Sequence, residues 1–440
     1  MKRPVYLASS VLLLASTMLA TNVLAAGAHH STQAKMIQLQ LCSSTPFGVP
    51  ALKQLSQGIR NGEHLAAYHL QAKLRKVGVR LMPPMDMDDA KADGSTYDPN
   101  KEGQNALQCV NSTHTIGYVG TLNSGAAIVS EPITNKAHMV QISPANTSPS
   151  LTSFGPYQGS GGRKSQEPAT YKHQIPWVTY YRTVTTDALQ GPAGALFAKE
   201  KLHVSSVYVV DDKLQYGVGL AQAFKAEAQR IGLKVLGYSH VDSSSAAAEA
   251  QTANQIASSV VSAKPGLVYC GCDSETVGAL PRDLRHAGYQ GPWMGGDALY
   301  NSAWITTEGS ASVNNYATSV GPDPAKTSQN FKKLYKQVYG KFYANPGPQA
   351  YDAPSYDATS IILTAVWEAA KAHKLTGSIK HMRTVVVGYV RHITFYGATG
   401  KTSFDANGDT TNRVISVYKV QGGKYVYHGA LKPTGFKPAP

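Results

Sequence analysis

Thr115-Ile116-Gly117-Tyr118-Val119-Gly120-Thr121-Leu122-Asn123-Ser124-Gly125-Ala126 is an apolar run that stops in a turn of small residues. The pattern recurs at His138-Met139-Val140-Gln141-Ile142, which stops in Ser143-Pro144-Ala145-Asn146-Thr147. Between the two, Ala126 to Lys136 has helical spacing. A strand that ends in such a turn and opens a helix leaves backbone N–H groups unpaired and pointing outward, which favours an anion. In a doubly wound sheet, ligands collect at these carboxyl ends of strands. The two turns therefore read as half of a small-molecule cradle. Ser124 and Thr147 offer N–H and hydroxyl to a carboxylate, and the Ala145 carbonyl accepts from an amine.

Working outward, the same alternation of strand and helix runs through the chain. Before the cradle, Met36 to Leu41 reads as a strand stopping at Cys42, Gln57 to Val77 as a helix, Val79 to Met82 as a strand and Gln104 to Asn111 as a helix. After it, strands are expected at Val204–Val210, Leu233–Tyr238, Gly266–Tyr269 and Pro292–Met294, and helices at Leu220–Ile231, Glu249–Val261 and Glu275–His286. Helical patterns follow at Gln329–Lys341 and Tyr356–Ala372, and a closing hairpin, Val414–Val420 with Lys424–His428, turns on Gly422-Gly423. This is an α/β chain with mostly parallel strands. Its 440 residues exceed one core and predict two lobes. Phe154 to Pro176, rich in glycine and without periodicity, reads as an inserted surface loop.

The first residues carry a separate message. Lys2 and Arg3 precede an apolar run from Val5 to Ala20, and Val23-Leu24-Ala25 supplies small residues at a cleavage site. Residues 1–25 are thus expected to be a secretory signal peptide, and the mature chain an exported one. The net charge of +14 invites a nucleic-acid reading. Scattered basic residues and export argue against it, leaving a solvated basic surface.

Four cysteines in an oxidising compartment leave three pairings open, Cys42 with Cys109 among them. Cys270 and Cys272 lie two apart on a strand, where a bridge is unfavourable, so they are expected as separate buried thiols. Asp86, Asp88 and Asp89 lack the glycine and terminal glutamate of a calcium loop and read as a solvated loop. His29-His30 lies in the leader. No metal, cofactor or catalytic residue is expected, since no serine or cysteine occupies a nucleophile elbow and no histidine spacing suits a metal.

These segments together resemble the extracytoplasmic solute-binding proteins of the leucine/isoleucine/valine-binding type, over nearly the whole mature chain. The residues that carry the resemblance are Asp212-Lys213-Leu214-Gln215-Tyr216-Gly217-Val218-Gly219 and Ser143-Pro144-Ala145-Asn146-Thr147-Ser148-Pro149. Tyr181-Arg182-Thr183 with Asp187 and Gln190-Gly191-Pro192, and Gly397, Gly400 and Phe404 to Asp409, are similar to the family's crossings between lobes.

The resemblance implies the type I periplasmic fold: two Rossmann-like lobes, 36–182 with 321–398 and 183–320 with 399–440, joined by a three-stranded hinge. It implies a ligand carboxylate on Ser124 and Thr147, and an amine on the Ala145 carbonyl and on Asp297, where the family often has glutamate. Tyr216 matches a tyrosine that closes over the ligand from the second lobe. Two departures stand out: Asp273 replaces a tyrosine and Gln54 an aromatic. Asp273 either faces the ligand, favouring one with a polar, cationic or amide group, or points to solvent. The implied function is capture of an amino acid or similar zwitterion or amide by a monomer in the periplasm, for delivery to a membrane ABC permease. The alternative is a sensor of the same fold feeding a regulator or chemoreceptor. The DNA-binding repressors share the lobes but begin with a helix-turn-helix, where this chain has its signal sequence.

Overall fold

In the computed structural model the described residues are 36–152, 178–340 and 349–431, which belong to one compact unit. The signal segment, the leader and the Phe154–Pro176 insertion lie outside them. The first sheet contains β1 (Ile37–Thr45), β2 (Val79–Leu81), β3 (Met85–Asp88), β4 (Thr115–Val119), β5 (Val140–Ser143) and β6 (Tyr180–Arg182). Its order is β2-β1-β4-β5-β6, with β3 also pairing β1, and every pairing is parallel. The second sheet starts with β7 (Ser206–Asp211), β8 (Lys234–His240), β9 (Leu267–Gly271), β10 (Trp293–Gly295) and β11 (Tyr316–Ser319). A short ribbon, β12 (Phe395–Tyr396) with β13 (Lys401–Thr402), precedes the hairpin β14 (Ile415–Gln421) and β15 (Lys424–Leu431). The hairpin completes the second sheet in the order β8-β7-β9-β10-β11-β14-β15. It turns on Gly422 and Gly423, whose φ values of 57° and 72° are those a two-residue hairpin turn requires.

Inner strands are buried on both faces, so their sequences are continuous apolar runs: all five residues of β4 and of β9 are buried. In the first lobe, Leu39, Leu41, Ile116, Val140 and Ile142 pack against Ile361, Ile362, Val366, Val387 and Val390 of the helices Asp352–Lys371 and Ile379–Arg391. The second sheet has a core on each face, one around Val210, Cys270 and Trp293 and one around Val209, Phe224 and Tyr269. Among the described residues the chain passes to the second sheet after β6, returns after β11 to the helices packed on the first sheet, and passes to the second sheet again after β13. The fully buried Arg182 braces the crossings: Nε pairs with Asp409 Oδ1 at 2.7 Å, while Nη1 donates to the carbonyls of Asn146 at 3.0 Å and Ser148 at 2.9 Å. No helix among the described residues is long and apolar enough to cross a membrane.

Three expectations need correction, and two open points are resolved. Cys270 and Cys272 are bridged, not separate thiols, with Cα atoms 5.3 Å apart. Only Cys270 sits within β9, and the chain leaves the strand at Gly271, so strict alternation does not hold the two side chains apart. Cys42 pairs with Cys109, and no free cysteine remains. The Asp-rich stretch is neither all loop nor all solvated, because Asp86 and Asp88 lie on β3 and Asp89 is fully buried. The helix expected from Glu275 begins only at Leu280, since Gly278 at φ 52° breaks the preceding turn. Finally, Asp187 begins a helix that runs to Glu200 despite Gly191, Pro192 and Gly194.

Candidate ligand cleft

The loops that follow the strands of one sheet meet those that follow the strands of the other. Asn123 Nδ2 donates to Asp273 Oδ2 at 3.3 Å, and Gln215 Nε2 to Ser150 Oγ at 2.6 Å. Asn301 Nδ2 reaches the Ala51 carbonyl at 2.8 Å. Tyr351, just before the helix Asp352–Lys371 of the first lobe, donates its hydroxyl to Asp297 Oδ2 at 2.7 Å. At the mouth, a cavity of about 450 Å³ opens between Ala51, Lys91 and Thr96 on one side and Ser245, Glu249 and Glu275 on the other. A larger one, about 820 Å³, lies on the outer side of the first lobe by Thr364, Tyr389 and His392, away from these groups.

Ser124 is the first residue of the helix Ser124–Lys136, whose cap residue Asn123 makes no side-chain cap. Its Oγ accepts from the Ser148 N–H at 3.3 Å, so the two turns are tied together. Ala145 is buried, and its N–H donates to Ser143 Oγ at 3.1 Å. The Thr147 carbonyl accepts from the Asp187 N–H at 2.9 Å, while Thr147 Oγ1 is buried with no hydrogen-bond partner among the described residues. Arg182 holds the carbonyls on both sides of this loop residue.

From the second lobe, Asp297 follows β10 and is 1% exposed. Its Oδ1 accepts from Tyr216 Oη at 3.0 Å and Gln190 Nε2 at 2.9 Å, and its Oδ2 from Tyr351. Tyr216 reaches it because Asp212 caps the turn, accepting from the Leu214 and Asp273 N–H groups at 3.0 and 2.8 Å. A β-carbon at Gly217 would collide with Asp212 and the Gly271 carbonyl, so only glycine lets that turn sit against β9. Asp273 is 4% exposed, which removes the solvent alternative. Gln54 lies at the rim, where its Oε1 accepts from Ser302 Oγ across the gap at 2.7 Å.

Burial pushes the Asp297 carboxyl up against three hydrogen bonds that hold it down. Asp273 is raised well above the usual carboxylate range by burial and then by the charges of Glu275, Asp212 and Asp297; Asp187 is raised by burial and by Asp297. Several buried acceptor atoms here have no hydrogen-bond partner among the described residues: both Asp187 oxygens, Gln190 Oε1, Gln215 Oε1, Asn123 Oδ1 and Glu275 Oε2. Asp187, Gln190, Asn123, Glu275 and Tyr351 were not singled out as ligand residues from sequence. The Asp187-to-Gly191 stretch resembles only a crossing, and Tyr351 stands far along the chain with no local pattern to mark it.

Raised carboxyls set the sign of the pH dependence. Burial moves Asp352 to about 7 and Asp357 to about 6, the latter despite bonds from the Ala398 and Thr399 N–H groups. An unfolded chain releases these protons near pH 4, so between about pH 4 and 7 the folded chain binds more protons than the unfolded one. Stability then falls as pH rises, by about 1.4 kcal/mol per retained proton per pH unit. His69 and His138, both lowered by burial, act in the opposite direction and are fewer than the raised acids. Ligand-free protein should therefore melt several degrees higher at pH 5.5 than at pH 8.5 by calorimetry; a flat or rising profile would contradict the assignment.

The family described as the receptor family ligand binding region matches residues 88–423. The leucine-, isoleucine-, valine-, threonine- and alanine-binding protein of Pseudomonas aeruginosa is 26% identical over 338 residues, 76% of this chain and 80% of its own. The Leu/Ile/Val-binding protein BraC3 of Rhizobium johnstonii is 23% identical over 368 residues, 84% of this chain and 88% of its own. Among solved structures, the leucine-binding protein LivK of Thermotoga maritima superposes with a TM-score of 0.72 at 19% identity, covering 90% of this chain and all of that one. A solute-binding protein of R. palustris in complex with benzoate gives 0.68 at 17%, over 89% and 96%. These likenesses agree with the expected type I periplasmic fold of two lobes.

Proposed function

The chain belongs to the receptor family ligand binding region family, and from that premise we propose that it captures an amino acid, or a similar small zwitterion or amide, between its lobes and delivers it to an ABC-type importer. It acts without catalysis, as a periplasmic monomer released from the signal peptide 1–25, with lobes 36–182 plus 321–398 and 183–320 plus 399–440. The ligand carboxylate lies against Ser124 and Thr147, the ammonium against Asp297 and the Ala145 carbonyl, Tyr216 closes over it, and Gln54 and Asp273 bound the side-chain end.

One observation carries the reading: the Asp297 carboxylate is gripped by Tyr216 and Gln190 on one oxygen and by Tyr351 of the opposite lobe on the other. Those donors are neutral, so the charge is oriented and left uncompensated, as an incoming ammonium requires. The orphan acceptors around it, with Asp273 buried among acids, favour a ligand that brings additional N–H donors. The test is a thermal-shift screen of amino acids, amides, polyamines and aromatic acids. A ligand at about a hundred times its Kd stabilises by about 2.7 kcal/mol. Amino acids or amides should raise Tm, with polar and basic side chains ahead of aliphatic ones; no shift from either class would reject the proposal.

A further inference from the structure

Outside the cleft, one group of ligating side chains among the described residues is unused. Glu63 and His64 are consecutive on the helix Lys53–Arg75 and Asp86 lies on β3, and one ligand atom from each falls within 4.8 Å of the others. Glu63 is 0% exposed, and neither carboxylate oxygen has a hydrogen-bond partner among the described residues. His64 Nε2 lies 2.8 Å from Asp86 Oδ2, and Asp86 Oδ1 accepts from Ser43 Oγ at 3.2 Å. The His64 and Asp86 side chains are 44% and 25% exposed, so one side of the cluster is open to water and ions.

We propose that Glu63, His64 and Asp86 bind a divalent transition-metal ion of the zinc class. Burying this carboxylate is costly; a proton, which burial and the neighbouring Asp86 charge hold on Glu63 up to about pH 8, offsets that cost, and a cation bound by the three side chains would take the proton's place. The neighbouring Arg60 is only partly engaged: Nη2 donates to the Met87 carbonyl at 2.9 Å and its guanidinium lies 4.2 Å from the Phe47 ring, while its buried Nε has no hydrogen-bond partner among the described residues. It offsets at most one of the two carboxylates. An imidazole nitrogen with two carboxylate oxygens suits Zn²⁺ or Mn²⁺, whereas Ca²⁺ takes six to eight oxygens. Three protein ligands with water on the open side complete such a shell. The ion would fasten the helix Lys53–Arg75 to β3, which itself pairs with β1.

The experiment is calorimetric titration of the chelator-stripped chain with ZnCl₂, and with MnCl₂ and CaCl₂ in parallel. One equivalent of Zn²⁺ should bind, with Ca²⁺ at least tenfold weaker. Glu63→Gln and His64→Gln should each weaken Zn²⁺ at least tenfold; His64 is half-exposed, so its variant is expected to fold even where Glu63→Gln does not. Replacing His29 and His30 should leave the affinity unchanged. Absence of Zn²⁺ binding, binding undiminished in His64→Gln, or binding lost with His29 and His30 would overturn the proposal.

Discussion

Asp297→Ala is expected to abolish amino-acid binding in a calorimetric titration that gives a clear isotherm with the wild-type chain. Three neutral donors now converge on a buried carboxylate. They orient it without cancelling its charge. A bound ammonium would complete the site; without the carboxylate, the same ammonium would be desolvated against Tyr216, Tyr351 and the uncharged Gln190. Truncating one partner of a buried, hydrogen-bonded charge pair costs about 2 to 5 kcal/mol, or roughly thirtyfold to several thousandfold in Kd. Asp297→Asn separates charge from shape, since it keeps the volume and most of the polar contacts. It should lose nearly as much affinity as alanine. Unchanged affinity in both variants would remove Asp297 from the site, and a loss in alanine alone would make its role steric.

Most inner strands and both first-lobe turns were legible, because β4 is an apolar run after Thr115 and β5 a short buried one interrupted by Gln141, each ending abruptly in small polar residues, whereas β11 carried no such signal. Ser124 and Thr147 fall beside each other since parallel neighbours end at the same edge, which local sequence does convey. β3 was hidden because Met85-Asp86-Met87-Asp88 alternates with acids and lies in a polar stretch, yet that alternation has the period of a strand. The helix Asp187–Glu200 contains residues that ordinarily weaken helices. It forms because Gly191 and Gly194 let it lie directly against the helix Gln215–Arg230, where a β-carbon at Gly191 would strike the Phe224 backbone. Tertiary packing there outweighs propensity. Tyr351, Gln190 and Asn123 reach the cleft from segments far apart in the chain, and no periodicity encodes that convergence.

The Cys42–Cys109 bridge should be the covalent link whose removal costs the most stability. It joins β1 to the helix Pro99–Asn111 across a sequence separation of 67 residues, in a pocket shared with Tyr118 and Met139. Closing so long a loop in the unfolded chain is worth about 4 kcal/mol in the chain-entropy account. The Cys270–Cys272 bridge spans a separation of only two, and the same account gives it about 1.5 kcal/mol. Both pairs are fully buried, so replacing either with two alanines removes similar sulfur packing. The difference between the two double variants therefore isolates loop closure, and Cys42→Ala/Cys109→Ala should unfold in urea with about 2 to 3 kcal/mol less stability than Cys270→Ala/Cys272→Ala. Alkylation of the denatured, unreduced chain should first label no cysteine, and after reduction all four. Equal losses in the two variants would mean that the unfolded chain already holds β1 near that helix, leaving the bridge little entropy to remove.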